Sequence, residues 1–171
     1  MTVKKPQLPE IEPKAERPHM PGYGLPKGRK GLLQERLEGS HNYWITTVRP
    51  DGSPHTMVVW GLWLDGAFLF STGLKSRKAR NLAANPKCVV CTERAEEAVI
   101  VEGEAGLVRD RSRLQDFCRR YEEKYKWDMS AFQEEPIFAV RPRRAFGLYE
   151  KRSMNSATRW IFPETERRNL P

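Results

Sequence analysis

Two short turn signals constrain this chain more than any other feature of its sequence. Pro50-Asp51-Gly52-Ser53 and Asp65-Gly66 each separate stretches rich in β-branched and aromatic residues. Strands joined by turns this short pair antiparallel, because a parallel pair needs a crossover of roughly a dozen residues or more. His41 to Arg49, Pro54 to Leu64 and Ala67 to Thr72 therefore read as a three-stranded meander. Pro54 is tolerated because it stands at a strand start.

The rest of the chain extends that pattern. Lys30 to Leu37 reads as a short helix ended by Gly39, and Ser76 to Asn85 as a second helix that stops before Pro86. Lys87 to Thr92 and Ala98 to Val108 are further strands, with Gly103 placed for a bulge. Asp110 caps a third helix, whose Leu114, Phe117, Cys118, Tyr121 and Tyr125 recur at helical spacing. Ile137 to Val140, Ala145 to Glu150 and Thr158 to Phe162 read as late strands. The expected fold is mainly β: about six antiparallel strands closing into a small barrel, with helices at its flanks. Long βαβ alternation and a G-x-G-x-x-G turn are both missing, which disfavours a dinucleotide-binding sheet.

Composition sets the ends of that domain. Of the thirteen prolines, Pro6, Pro9, Pro13, Pro18, Pro21 and Pro26 fall in the first 26 residues. Residues 1–28 therefore read as an extended or disordered arm, 29–163 as the folded domain and 164–171 as a polar tail. The net charge is +8. Residues 1–30 carry seven cations against three glutamates, so half of that excess lies in or beside the arm. The remainder is spread over the body, which suits an anionic small ligand as well as nucleic acid, and no nucleic-acid motif accompanies it. No run reaches the roughly 18 apolar residues of a membrane span, and no charged-then-apolar leader opens the chain. Three cysteines form no paired framework, so the expected compartment is a reducing cytoplasm. Cys88 and Cys91 match C-x-x-C, but on a strand they face opposite ways and cannot share a metal or a disulfide.

The stretch from Phe70 to Leu82 is electrostatically unusual. Ser76 is a helix N-cap, and Lys75, Arg77 and Lys78 surround it. Cations at a helix N-terminus oppose its partial positive charge. An anion seated among the hydroxyls of Ser71, Thr72 and Ser76, the first-turn N–H groups and these cations would reverse the sign of that effect. The charge pattern alone is equally that of a solvated basic helix face. The strand His55-Thr56-Met57-Val58-Val59-Trp60-Gly61 is apolar on both faces, which fits a planar ring lying along it, a second subunit, or ordinary core.

Protein-side catalysis has little to stand on. His19, His41 and His55 show no metal-ligand spacing, so no metal is expected. There is no G-x-S-x-G and no P-loop, and Glu96-Glu97 reads as a solvated turn. No catalytic side chain is assigned. A phosphate cradle without catalytic residues suits a protein whose cofactor carries the chemistry.

Tyr43-Trp44-Ile45-Thr46-Thr47-Val48-Arg49-Pro50-Asp51-Gly52-Ser53-Pro54-His55, followed by Val59-Trp60, Phe70-Ser71-Thr72, Ser76-Arg77-Lys78-Ala79-Arg80-Asn81-Leu82 and Asn85-Pro86, resembles the pyridoxamine 5′-phosphate oxidase-like family. Ser156-Ala157-Thr158-Arg159-Trp160 resembles the C-terminal end of some members. The resemblance spans Tyr43 to Phe162. It implies an FMN-binding type of split β-barrel that forms a homodimer, with cofactor sites at the subunit interface. It implies that Ser76, Arg77 and Lys78 hold the cofactor phosphate, assisted by Thr72 and Ser71, and that Met57, Val58, Val59 and Trp60 run beside the ring. Arg159 and Trp160 match positions where the second subunit reaches the cofactor. The family's basic pattern for pyridoxine phosphate is missing here: the early strands offer only Arg49, and Arg167-Arg168 stand alone in the tail.

The resemblance implies an oxidoreductase that transfers hydride between FMN or coenzyme F(420) and a small organic substrate. The Ser-Arg-Lys form slightly favours FMN. Lys27, Arg29 and Lys30 offer a cationic groove for the acidic tail of the deazaflavin coenzyme. The rival readings are a flavin-binding sensor or carrier without robust turnover, and a nucleic-acid binder using the Lys75–Arg80 cluster.

Overall fold

The computed structural model describes residues 14–16, 30–129, 135–150 and 157–162. The expectations for Lys27, Arg29, Ser156 and the tail fall outside the described residues. Among the described residues, three α-helices, α1 (Lys30–Gly39), α2 (Arg77–Ala84) and α3 (Arg111–Tyr125), accompany nine strands. The strands are β1 (Lys14–Glu16), β2 (Tyr43–Val48), β3 (Pro54–Val59), β4 (Leu62–Leu64), β5 (Ala67–Ser71), β6 (Lys87–Thr92), β7 (Val99–Leu107), β8 (Ile137–Gly147) and β9 (Thr158–Ile161). Every pairing among them is antiparallel. The protein is mainly β, a curled antiparallel sheet with flanking helices, as a split barrel requires.

The meander differs from its expected form. Pro54 to Leu64 is not one strand: it breaks at Trp60-Gly61 into β3, which pairs with β2, and β4, which pairs with β5. The break lies where the chain passes the barrel core. A Cβ on Gly61 would sit 2.3 Å from the Phe68 ring and 2.6 Å from the Leu69 carbonyl oxygen. The freed backbone is claimed by Tyr125, whose hydroxyl accepts the Gly61 N–H (2.9 Å) and lies 2.8 Å from its carbonyl oxygen. β3 is thereby left as the edge of the sheet, in the order β1-β9-β8-β7-β6-β2-β3.

The two late strands expected at Ile137 to Val140 and Ala145 to Glu150 are one, β8. Pro142 lies inside it without breaking it, because the β7–β8 register shifts between Glu102 and Gly103 and places Pro142 opposite Gly103. The bulge expected at Gly103 falls on the partner strand instead: Arg143 of β8 is the extra residue, facing the Glu102–Gly103 step, and a Cβ on Gly103 would sit 2.3 Å from the Arg141 carbonyl oxygen. The free edge of β8 is divided between two partners. Its first half pairs with β5 and its second half with β9, and this division splits the barrel. The one described piece of the N-terminal arm, β1, adds a strand on the outside of β9.

Two cores result. Tyr43, Ile45, Phe68, Phe70, Val90, Val101, Val140 and Trp160 fill the barrel. Leu62, Leu64, Ala67, Leu69, Ile137 and Ala139 pack against Phe117, Tyr121 and Tyr125 of α3. β5 lies between them, sending Phe68 and Phe70 one way and Ala67 and Leu69 the other. Burial on both faces is why its sequence is continuously apolar. On β6 the alternation buries Cys88 and leaves Cys91 on the outer face, and both thiols are free.

Candidate functional site

The α2 N-terminus has the expected local geometry. Ser76 is extended (φ −66°, ψ 153°), and its hydroxyl accepts the Ala79 N–H at 3.2 Å. Thr72, buried just past β5, stands 3.1 Å from the Ser76 hydroxyl. No acidic residue occupies the first turn of α2. Arg77 is exposed and Lys78 half-buried. Loss of water around the Lys78 ammonium lowers its pKa, against the opposing pull of Glu135. Hydroxyls, first-turn N–H groups and two cations thus converge on one small region.

Glu135 has no signal in the sequence. It lies 64 residues from Ser71, whose hydroxyl donates to its Oε2 at 3.3 Å. The β5–β8 pairing, which sets Ser71 opposite Ile137, brings the two together.

The strand beside this region separates its four candidate residues. Cross-strand partners share a face, so Met57 (opposite Ile45) and Val59 (opposite Tyr43) lie on the barrel side. Met57 is nevertheless 47% exposed, because β3 is the sheet edge, whereas Val59 is buried. Val58 turns to the outer face, opposite Trp44. Trp60 leaves the strand altogether. Its indole stacks on Tyr125 (4.7 Å, 6°), approaches Trp127 edge-on at 6.0 Å and donates to Asn42 Oδ1 at 3.1 Å. His55, two residues before Met57, shares the barrel-side face and is opposite Thr47, whose hydroxyl accepts from Asn81 of α2 at 3.0 Å. Strand alternation counted back from Met57 identifies His55 as a site residue that motif reading passes over. Met57 and His55 thus share the barrel-side face of the β3 edge, while Ser76, Arg77 and Lys78 stand at the head of α2.

Arg159 and Trp160 are neighbours with opposite fates. Trp160 is 3% exposed and belongs to the barrel core, with ring atoms 2.7 and 2.8 Å from where a Gly147 Cβ would stand. It is therefore held inside its own chain rather than offered to another. Arg159, opposite Phe146, lies on the outer face. Partnerships across the sheet align Val58, Trp44, Cys91, Ile100, Phe146 and Arg159 in one row that continues to Glu16 on β1. Val58, Trp44 and Ile100 in that row are exposed.

The residues present fit a phosphate-bearing planar cofactor. Met57 offers an exposed thioether on the free edge of β3, and the head of α2 is cationic with no acid in its first turn. Among the described residues, no group of three His, Cys, Asp or Glu is placed to hold a metal ion.

A family model described as pyridoxamine 5′-phosphate oxidase matches residues 30–149. A pyridoxine/pyridoxamine 5′-phosphate oxidase of Bacteroides thetaiotaomicron is 34% identical over 128 residues, 72% of this chain and 56% of that protein. The chain thus spans little more than half the length of that relative. A solved structure of a conserved hypothetical protein from Mycobacterium tuberculosis superposes with a TM-score of 0.64 at 21% identity, covering 72% of this chain and 86% of that one. An F(420) reductase superposes with a TM-score of 0.55 at 26% identity, covering 71% and 98%.

Proposed function

The chain belongs to the pyridoxamine 5′-phosphate oxidase family, and from that premise we propose that it is an oxidoreductase using FMN or coenzyme F(420) and acting on a small organic molecule. The observation that carries this reading is the head of α2: a capped helix start with Thr72, Ser76, Arg77 and Lys78 together and no acid in its first turn. When bound, the flavin or deazaflavin ring supplies the hydride chemistry. The chain's own residues bind and orient. Arg77 and Lys78 neutralise the phosphate, Ser76 and Thr72 direct hydroxyls toward it, and Met57 provides an apolar edge for the ring. The Ser76-Arg77-Lys78 form favours FMN, and the similarity to an F(420) reductase supports the deazaflavin.

The reading includes a homodimer. A row of exposed apolar side chains on an outer sheet face is an interaction surface, and a second copy covering it would bury Trp44, Val58 and Ile100 and bring Arg159 against its partner.

Arg77→Ala combined with Lys78→Ala tests the cradle. Each charge-assisted bond is worth roughly 1.5–3 kcal/mol, so affinity for FMN and for coenzyme F(420) should drop by about 100-fold or more in side-by-side fluorescence titrations. The Ser76 cap remains, so the melting temperature should hold. Unchanged affinity for whichever cofactor the wild type binds would overturn the reading.

A further inference from the structure

The approach to the cradle carries an acid that α2 itself does not supply. No acidic residue stands in the first turn of that helix. Glu135 reaches the stretch before it from two residues ahead of β8. Its Oε2 accepts the Ser71 hydroxyl at 3.3 Å, and its Oε1 lies 3.7 Å from where a Gly73 Cβ would stand. The carboxylate therefore lies along residues 71–73, the segment that leads from β5 to the α2 cap. Backbone bonds hold that segment at both ends. The Thr72 N–H donates to the Pro136 carbonyl oxygen at 3.3 Å, and the Ser76 N–H donates to the Gly73 carbonyl oxygen at 2.9 Å. The Thr72 hydroxyl, on the same segment, is 3.1 Å from that of Ser76. Pairing of Thr72 with Pro136 thus keeps the neighbouring Glu135 next to the hydroxyls of the cradle.

Its charge also reaches Lys78. Loss of water lowers the pKa of that ammonium, and Glu135 opposes the fall. Lys78 therefore has a counter-charge within the chain itself. A phosphate seated on Thr72, Ser76, Arg77 and Lys78 takes over that role and then faces the Glu135 carboxylate as a like charge. The repulsion grows with the charge on the phosphate. A phosphate monoester such as that of FMN is largely doubly charged above about pH 6, whereas the phosphodiester of coenzyme F(420) is singly charged.

We propose that Glu135 is a specificity-determining residue of the cradle, one that penalises a doubly charged phosphate monoester more than a singly charged diester. The inference rests on the cradle reading. Removing the charge of Glu135 should therefore tighten the binding of both cofactors, and that of FMN more.

The test titrates FMN and coenzyme F(420), with riboflavin as the phosphate-free control, by fluorescence at about pH 7.5, where the monoester is doubly charged. The proteins are the wild type, Glu135→Gln and Glu135→Ala. The glutamine keeps an acceptor for the Ser71 hydroxyl, and melting temperatures report that each variant is folded. Alanine removes the charge without adding an amide that could itself bond to the phosphate. Both variants should bind FMN more tightly than the wild type, on the order of tenfold, with a smaller gain for coenzyme F(420) and none for riboflavin. FMN affinity that is unchanged or weakened, a gain in Glu135→Gln with none in Glu135→Ala, equal gains for the two cofactors, or a gain for riboflavin as large as that for FMN would overturn the role of Glu135 while leaving the cradle intact. FMN bound no tighter than riboflavin by all three proteins, with coenzyme F(420) unbound, would overturn the cradle reading and this inference with it.

Discussion

Lys124 illustrates how a single side chain takes its properties from its surroundings. It lies on the last turn of α3, and its ammonium donates to the Tyr43 hydroxyl at 2.9 Å and to the carbonyl oxygens of Glu38 and Gly61 at 3.3 Å. It also stands over the rings of Tyr43 and Tyr125. Three donors meet three acceptors, all of them neutral. Burial lowers its pKa to about 8, against weaker pulls from Glu93 and Glu38. The folded-state value is below the unfolded one, so between about pH 8 and the ordinary lysine range the unfolded chain binds the extra proton. Stability from this residue is therefore gained as pH rises from about 8 into the ordinary lysine range, lost again as pH falls back toward 8, and flat below it. Denaturant midpoints at about pH 7.5 and 9.5 should rise more in the wild type than in Lys124→Met. Equal changes would mean that Lys124 is ionised alike in both states. Tyr121, pushed up to about 12 by burial, and Tyr125, raised further still, act in the opposite sense only above the ordinary tyrosine range.

At the level of elements, the break between β3 and β4 leaves β3 as the edge of the sheet. Had the chain continued as one strand, it could not have paired with β2 on one side of Gly61 and β5 on the other. Gly61 permits the turn because Phe68 and the Leu69 carbonyl fill the space a side chain would take. Gly61→Ala should cost about 1–3 kcal/mol by overpacking, a fall of about 2–4 °C in melting temperature per kcal/mol at this chain length. Thermal denaturation followed by circular dichroism checks it, and an unchanged midpoint would mean that β4 and β5 shift apart freely. α2 behaves differently. Its start is determined locally, by Ser76, and its stop by the Asn85-Pro86 pair, so its limits follow from nearest neighbours in sequence.

For the whole molecule, the outer face of the sheet is where exposed apolar side chains line up among the described residues. The row from Val58 through Trp44 to Ile100 is apolar and exposed, with Trp44 at 46%. On the dimer reading, Trp44→Glu places a charge at its centre and should convert a dimer to a monomer in sedimentation at micromolar concentration, with little loss of monomer stability because the residue is half exposed. A wild-type monomer under the same conditions would count against a second copy on this face. The N-terminal arm also belongs to this scale. Its piece Lys14–Glu16 adds to β9 and extends the sheet at the end far from β3.

The amino-acid sequence by itself determined the local features of the elements. Tight turns made the strands antiparallel, period-two alternation assigned Cys88 and Cys91 to opposite faces, helical spacing identified the buried side of α3, and capping residues marked α2. These are short-range effects, in which the deciding groups lie within a few positions of one another. The tertiary structure decided what depends on distant pairings. It split Pro54 to Leu64 at Gly61, joined two expected strands through Pro142 with a bulge at Arg143 opposite the Glu102–Gly103 step, and divided the edge of β8 between β5 and β9. It also took Trp60 into the α3 cluster and Trp160 into the core, and set Glu135 beside Ser71. Each of these followed from which backbone edge or apolar surface was left to be satisfied once the barrel had closed.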